Sequence, residues 1–284
     1  MCFLGKPFKG HGEMETEVTN HLISELKSQT TDGSATRICY VNLAAQYTAA
    51  VQFQSRWKST DAQWTLLTGT DSSHILEYMQ SYFMYLRLNI STFTVLLDLL
   101  SINVADTDSN AMPRTQPQTV EELFQHINAT TLRLLPLLRL YSAWLLTNED
   151  VLKAGVGDDN LKSIIYTFWK KYASTVSDLA AKFPVKHLSE IPYQLEEDVD
   201  AIGFKPLSSA RTETRWTEPE TQSSRPKFSD SSVQRQSKEQ EALSRIRGLL
   251  IDALLLAAGK VCNMFICSLT LPTSNAAQGS FYWF

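Results

Sequence analysis

Between Lys205 and Arg247 the chain carries nine bases, Lys205, Arg211, Arg215, Arg225, Lys227, Arg235, Lys238, Arg245 and Arg247, against six acids. Trp216 and Phe228 are interleaved among them. Cations and aromatics mixed on a polar segment can track a phosphate backbone and stack on unpaired bases. A solvated linker has the same composition and is the bland alternative. From Thr119 to Glu190 eight bases are matched by eight acids, so that stretch has no net basic field. The candidate nucleic-acid contacts are Arg133, Arg139, Lys162, Lys170, Lys171, Arg215, Trp216, Arg245 and Arg247. For the helix face with Lys162, Lys170 and Lys171 a solvated surface is again the competing reading.

Other chemistries find little support. The sequence has 284 residues and a formal net charge of -4, so any nucleic-acid binding must come from a local patch rather than bulk charge. Cys2, Cys39, Cys262 and Cys267 have neither metal-ligand spacing nor the density of a disulfide framework, and are expected to be reduced thiols. There is no phosphate-cradling glycine loop, no HExxH and no nucleophile turn. Enzyme activity, a cofactor, a metal and a small-molecule substrate are not expected. The opening "MCFLGKPFKGHGEMETE" lacks the apolar run of a signal peptide. The sequons at Asn89 and Asn128 fall inside helical patterns, and no secretion is expected. Gly248 to Leu271 is long enough to span a bilayer, but Asp252 and Lys260 would each cost about 2.5–3.5 kcal/mol near a membrane-helix centre. A buried core helix is the expectation.

The elements that must position these residues are helical. From Ser72 to Val104 the apolar residues Ile75, Met79, Tyr82, Leu86, Ile90, Phe93, Leu97, Leu100 and Val104 step by three or four, predicting one helix of about 50 Å. Glu13 to Ser28 and Ala35 to Trp57 predict two more, separated by the turn signal "TTDGS". Thr119 and Glu122 form a capping box that starts a helix running through "LFQHINATTLRLLPLLRLYSAWLL", apolar on several faces and kinked at Pro136. Leu161 to Phe183 gives a strict single face, ended by Pro184 and Pro192. Ser208 to Gln236 is polar, rich in Ser and Arg, and expected to lack fixed structure. Ser237 to Val261 predicts a closing helix, and the last residues have no usable period.

The expected architecture is all-α: an array of antiparallel helical hairpins, an α-α superhelix of tetratricopeptide type, with a disordered polar insertion before the last helix. The expected boundaries are 1–207 for the hairpins, 208–236 for the insertion, 237–268 for the closing helix and 269–284 for an unstructured tail. Within this plan "LEEDVDAIGFKPL", Leu195 to Leu207, is too apolar for a linker, and predicts an extended strap packed across helix ends. Its acids Glu196, Glu197, Asp198 and Asp200 are more readily solvated than metal-ligating.

The order "LLPLLRLYSAWLL", a lysine-bearing helix, "LEEDVDAIGFKPL", a polar gap and "RIRGLLIDALLLA" resembles the DNA/RNA-binding helical domain of the ever-shorter-telomeres family. That family groups a telomerase-associated yeast protein with the SMG-type factors of nonsense-mediated mRNA decay. Its motif is matched at Leu195, Glu197, Asp198, Gly203, Phe204, Pro206 and Leu207, which the resemblance marks as structural, while Glu196 stands where proline is usual. The likeness extends from about Phe3 to Val261, and the last helix is less basic than the family's form. It implies binding of single-stranded RNA or telomeric DNA, decay or telomerase protein factors as partners, and a location in the nucleus and/or cytoplasm. A phosphopeptide-binding module is expected to precede this part of such proteins, and no nuclease acids are expected after it.

Overall fold

The computed structural model describes residues 11–27, 34–57, 72–105, 119–153, 159–218, 220–221 and 223–258. Among them the regular structure is helical, with two isolated β-bridges and no named strand. The helices are α1 (His11–Lys27), α2 (Ser34–Trp57), α3 (Ser72–Ala105), α4 (Val120–Phe124), α5 (Ala129–Lys153), α6 (Asp159–Lys182), α7 (Glu196–Ala201), α8 (Ala210–Glu213) and α9 (Lys238–Ala258). Two 3-10 turns, Val185–His187 and Lys205–Leu207, flank α7. The all-α expectation holds. The turn at "TTDGS", most of the Val104–Thr119 loop, the end of the closing segment after Ala258 and the tail lie outside the described residues.

The chain divides into two compact units. The first comprises Met1–Val95 with Gly157–Ile164. In it α1 packs on α2, and Leu22, Cys39, Leu43, Ala49, Leu86, Leu88, Ile90 and Phe93 are buried. Cys39 is buried and in no disulfide among the described residues. Asn89, fully enclosed, donates from Nδ2 to the Gln46 Oε1 at 2.8 Å and to the Asn42 carbonyl at 3.3 Å. An apolar residue there would strand the Gln46 oxygen, so the bonds fix the register of α2 against α3.

The second unit comprises Leu96–Val156 with Ile165–Phe284. Its central element is α5, whose Leu134, Leu135, Leu137, Leu138, Leu140, Tyr141, Ala143, Trp144, Leu145 and Leu146 are all buried. A helix apolar on every side must be surrounded, and α5 is packed by α7, the second 3-10 turn, α8 and α9. Pro136 lies inside it. The capping box is formed as the sequence requires: Glu122 N–H donates to Thr119 Oγ1 at 3.2 Å, and Thr119 N–H to Glu122 Oε2 at 3.1 Å.

The single helix expected from Thr119 onward is corrected. It stops at Phe124, and α5 begins anew because Asn128 Oδ1 accepts the Thr131 N–H at 2.8 Å, a side-chain cap that competes with continuing the helix.

The expected disorder of Ser208 to Gln236 is also corrected. Ser209 caps α8, and the chain is then bridged at Thr217–Ser224 and at Gln194–Lys227. The second bridge exchanges Gln194 N–H to Pro226 O at 2.8 Å and Phe228 N–H to Gln194 O at 3.0 Å. Phe228 and Val233 pack on Ile191, Tyr193 and Leu195. The order comes from partners far away in sequence, which local composition does not register. This belt belongs with the unit that holds α9.

α9 is capped by Ser237, whose Oγ accepts the Gln240 N–H at 3.3 Å while Gln240 Oε1 accepts the Ser237 N–H at 3.1 Å. Its described part is a core helix, with Leu243, Ile246, Leu249, Leu250 and Leu256 buried. One described stretch, Met79–Leu100, is long and apolar enough to cross a membrane by length and composition, and half of its window is buried inside the protein.

Candidate nucleic-acid interface

"LEEDVDAIGFKPL" is folded rather than extended, which corrects the strap expectation. Leu195, 1% exposed, anchors the start of α7, and Asp198 Oδ2 accepts the Leu195 N–H at 3.1 Å. After α7 the backbone turns at Gly203 with φ of 81°, a conformation that side chains disfavour. Phe204 N–H then bonds Ala201 O at 3.0 Å, and Pro206 is the second residue of the second 3-10 turn, where its missing N–H costs nothing. Leu207 is buried, and its carbonyl accepts the Thr212 hydroxyl at 2.6 Å. Leu195, Pro206 and Leu207 are buried, and the turns around them deliver Glu197 and Asp198 to the interior.

Those acids meet arginines. Arg139, on α5 and 7% exposed, donates from Nη2 to Asp198 Oδ1 at 2.6 Å and lies 3.4 Å from Glu197 Oε1. Arg245, on α9, grips both Glu197 oxygens at 3.0 Å, in the bidentate geometry that a guanidinium favours. Arg235 grips Glu241 in the same way at 2.7 and 3.0 Å and covers the Phe228 ring. Tyr193 adds its hydroxyl to Glu241 at 3.0 Å. Arg215 pairs with Asp252, which also accepts the Ser142 hydroxyl at 2.6 Å, and Arg211 pairs with the buried Glu149. Gly248 of α9 faces this layer, where a Cβ would meet Arg139 Nη1 at 3.6 Å, an ordinary van der Waals contact.

The charges tune one another. Burial disfavours the cation of Arg139, yet Asp198, Glu197 and Asp252 reverse that and hold its pKa above the ordinary value. Burial pushes the Glu197 carboxyl up, but Arg139 and Arg245 outweigh it and leave the pKa below the usual range. Asp198 is raised, by burial first and then by Glu197 beside it. Burial likewise opposes the charge of Glu241, and the bonds from Arg235 and Tyr193 bring it below the usual range.

Three of the candidate contact residues are therefore corrected. Arg139, Arg215 and Arg245 are side chains at most 14% exposed, each committed to a carboxylate of its own unit. Arg247 is less enclosed but pairs with Glu190 at 3.1 Å, the same acid that Arg225 reaches. Arg133 is half-buried and turns its Nε toward the Ala129 carbonyl at 3.3 Å. Trp216 is half-buried, and its carbonyl accepts the Arg225 N–H at 2.8 Å. The lysines differ. Lys162 is exposed beside Asp159 at 3.2 Å, and Lys171 reaches Asp98 at 2.7 Å. Lys170 is exposed and makes no ion pair among the described residues. The face of α6 also presents Tyr166, 54% exposed, a residue the sequence reading passed over.

Signals for the buried charges were present. Arg139 is alone in "LLPLLRLYSAWLL" and Asp252 is alone in "GLLIDALLLA". An isolated charge on an otherwise apolar helix must find a partner inside. Glu196 and Asp200 are exposed, and no group of three or more His, Cys, Asp or Glu among the described residues is arranged to hold a metal.

A family model described as the Est1 DNA/RNA binding domain matches residues 1–211. The chain belongs to this family. The match takes in the α7 motif and α6, and ends as α8 begins, before most of the belt and α9. No curated protein and no solved structure matches the chain. Membership makes this Est1-family domain a nucleic-acid-binding domain at the level of the family, and the arginine layer describes how its second unit is held together.

Proposed function

We propose that this Est1-family chain is a non-catalytic helical domain that binds single-stranded RNA or telomeric DNA. It serves decay of aberrant mRNA or telomere maintenance in the nucleus and/or cytoplasm, alongside decay or telomerase protein factors. The family match over residues 1–211 carries this reading. The geometry supports a narrower contact set than the sequence does, because Lys162 and Lys170 of α6 keep their charge at the surface while Arg215 and Arg245 are enclosed against carboxylates.

The test is fluorescence anisotropy of the full chain with a short uridine-rich RNA and a G-rich telomeric single strand, at low and physiological salt. Binding that weakens steeply with salt supports the reading, since each neutralised phosphate of a single strand contributes a slope of about 0.7 in log–log form. Absence of binding at low salt overturns it. The Arg245→Glu variant is not a suitable probe, because it would place like charge against Glu197 and Glu241 and unfold the site.

A second reading is a scaffold for protein partners without direct nucleic-acid contact. It is favoured by the net charge of -4 and by the exposed Val41, Tyr47 and Val51 of α2. Salt-insensitive capture of a protein factor together with no RNA or DNA binding would select it.

A further inference from the structure

We infer that Tyr166 and Lys170 on α6 form a contact point for one unpaired nucleobase and its adjoining phosphate. This rests on the nucleic-acid reading above and deepens it by naming where a strand is held. Tyr166 and Lys170 are four residues apart on one helix, so their side chains lie on the same face about 5–6 Å apart at Cβ. Tyr166 exposes 54% of its surface.

The neighbouring aromatics of α6 behave differently. Phe168, Trp169 and Tyr172 are buried and pack on one another with centroids 5.3–5.9 Å apart. They anchor the inner face of the helix, so the outer face is a rigid platform. Around Tyr166 the exposed residues of α6 are Lys162, Ser163, Thr167, Lys170 and Ser174; the preceding carboxylate, Asp159, is paired with Lys162, and none follows until Asp178.

The chemistry of this face selects the occupant. An aromatic ring beside a cation offers stacking for a base and charge for a phosphate, a pairing suited to single strands because a base inside a duplex has its faces already stacked. A protein partner would ordinarily ask for a wider apolar patch, whereas here a single tyrosine is flanked by hydroxyls and by Lys162 and Lys170.

The experiment measures binding of the full chain to a uridine-rich RNA, to the same RNA carrying abasic sites, and to a duplex of the same sequence. Tyr166→Ala should weaken the RNA roughly 5- to 150-fold, the range for loss of one stacked base. Tyr166→Phe should bind like the parent. Wild type and Tyr166→Ala should become equal on abasic RNA, and the duplex should bind weakly to both. Lys170→Glu, at an exposed position where folding is safe, should lower affinity and reduce its salt dependence. If the parent binds RNA with steep salt dependence while Tyr166→Ala and Lys170→Glu match it, the contact point is refuted and the broader reading survives. If the parent does not bind, both fall.

Discussion

The belt with α9 and the outer face of α6 are both basic in sequence, yet they use their cations in opposite ways. The belt and α9 supply Arg211, Arg215, Arg235 and Arg245, and each faces a carboxylate that is largely enclosed. The α6 face supplies lysines, and Lys170 stands in solvent. The division follows the chemistry of the two side chains. A guanidinium is planar, weakly hydrated and able to hold a carboxylate with two bonds, so it can be enclosed; an ammonium is strongly hydrated and stays outside. Counting bases along a chain therefore measures potential for nucleic-acid binding poorly where arginine and acid are brought together by the fold.

The largest expected effect comes from the enclosed side. Arg139→Ala leaves Asp198 and Glu197 buried without their shared cation, and should cost about 3–5 kcal/mol in urea unfolding. A loss under about 1 kcal/mol would mean that the layer is solvated and the contrast false.

Acid should act in the same place, more gradually. Glu197 and Glu241 have folded pKa values below their unfolded ones, so they contribute stability that is present above about pH 4.3 and lost as pH falls through the folded values. Asp198, whose folded value is raised, works in the opposite sense and blunts the loss. The urea midpoint should hold from pH 7 down to about 5 and decline below about 4.3, and Glu241→Gln should flatten that decline. A midpoint independent of pH down to 3 would contradict the assignment.

A smaller effect isolates the backbone from the charges. At Gly203 a Cβ would meet nothing within 4 Å, so Gly203→Ala carries only the strain of a positive φ, about 1–2 kcal/mol. The smallest change belongs to the exposed side: Lys170→Glu should alter stability by no more than about 0.5 kcal/mol. A substantial destabilisation there would make the lysine structural and erase the distinction.

How much of this could be read beforehand depends on the range of the interaction. The α3 period and the Thr119–Glu122 capping box are local, and both appear as the residues dictate. The restart of the helix at Asn128 is local too, but its cap lay hidden in an apolar pattern that looked continuous. The ordered belt depends on Arg215 reaching Asp252 and on Gln194 bridging to Lys227, partners 37 and 33 residues away. No window of composition contains both ends of those contacts. For the candidate site, the lysines of α6 were legible from the helical period, whereas Tyr166 was missed because its neighbours Phe168 and Tyr172 made every aromatic of that helix look like core.

The most direct test is the salt dependence of binding to a uridine-rich RNA, measured for the parent chain and for Lys170→Glu. The account predicts measurable binding at low salt, with a log–log slope that falls by about 0.7 in the variant as one phosphate contact is lost. An unchanged slope and affinity in Lys170→Glu, or no binding by the parent chain, would contradict the assignment of the exposed lysine face to nucleic acid.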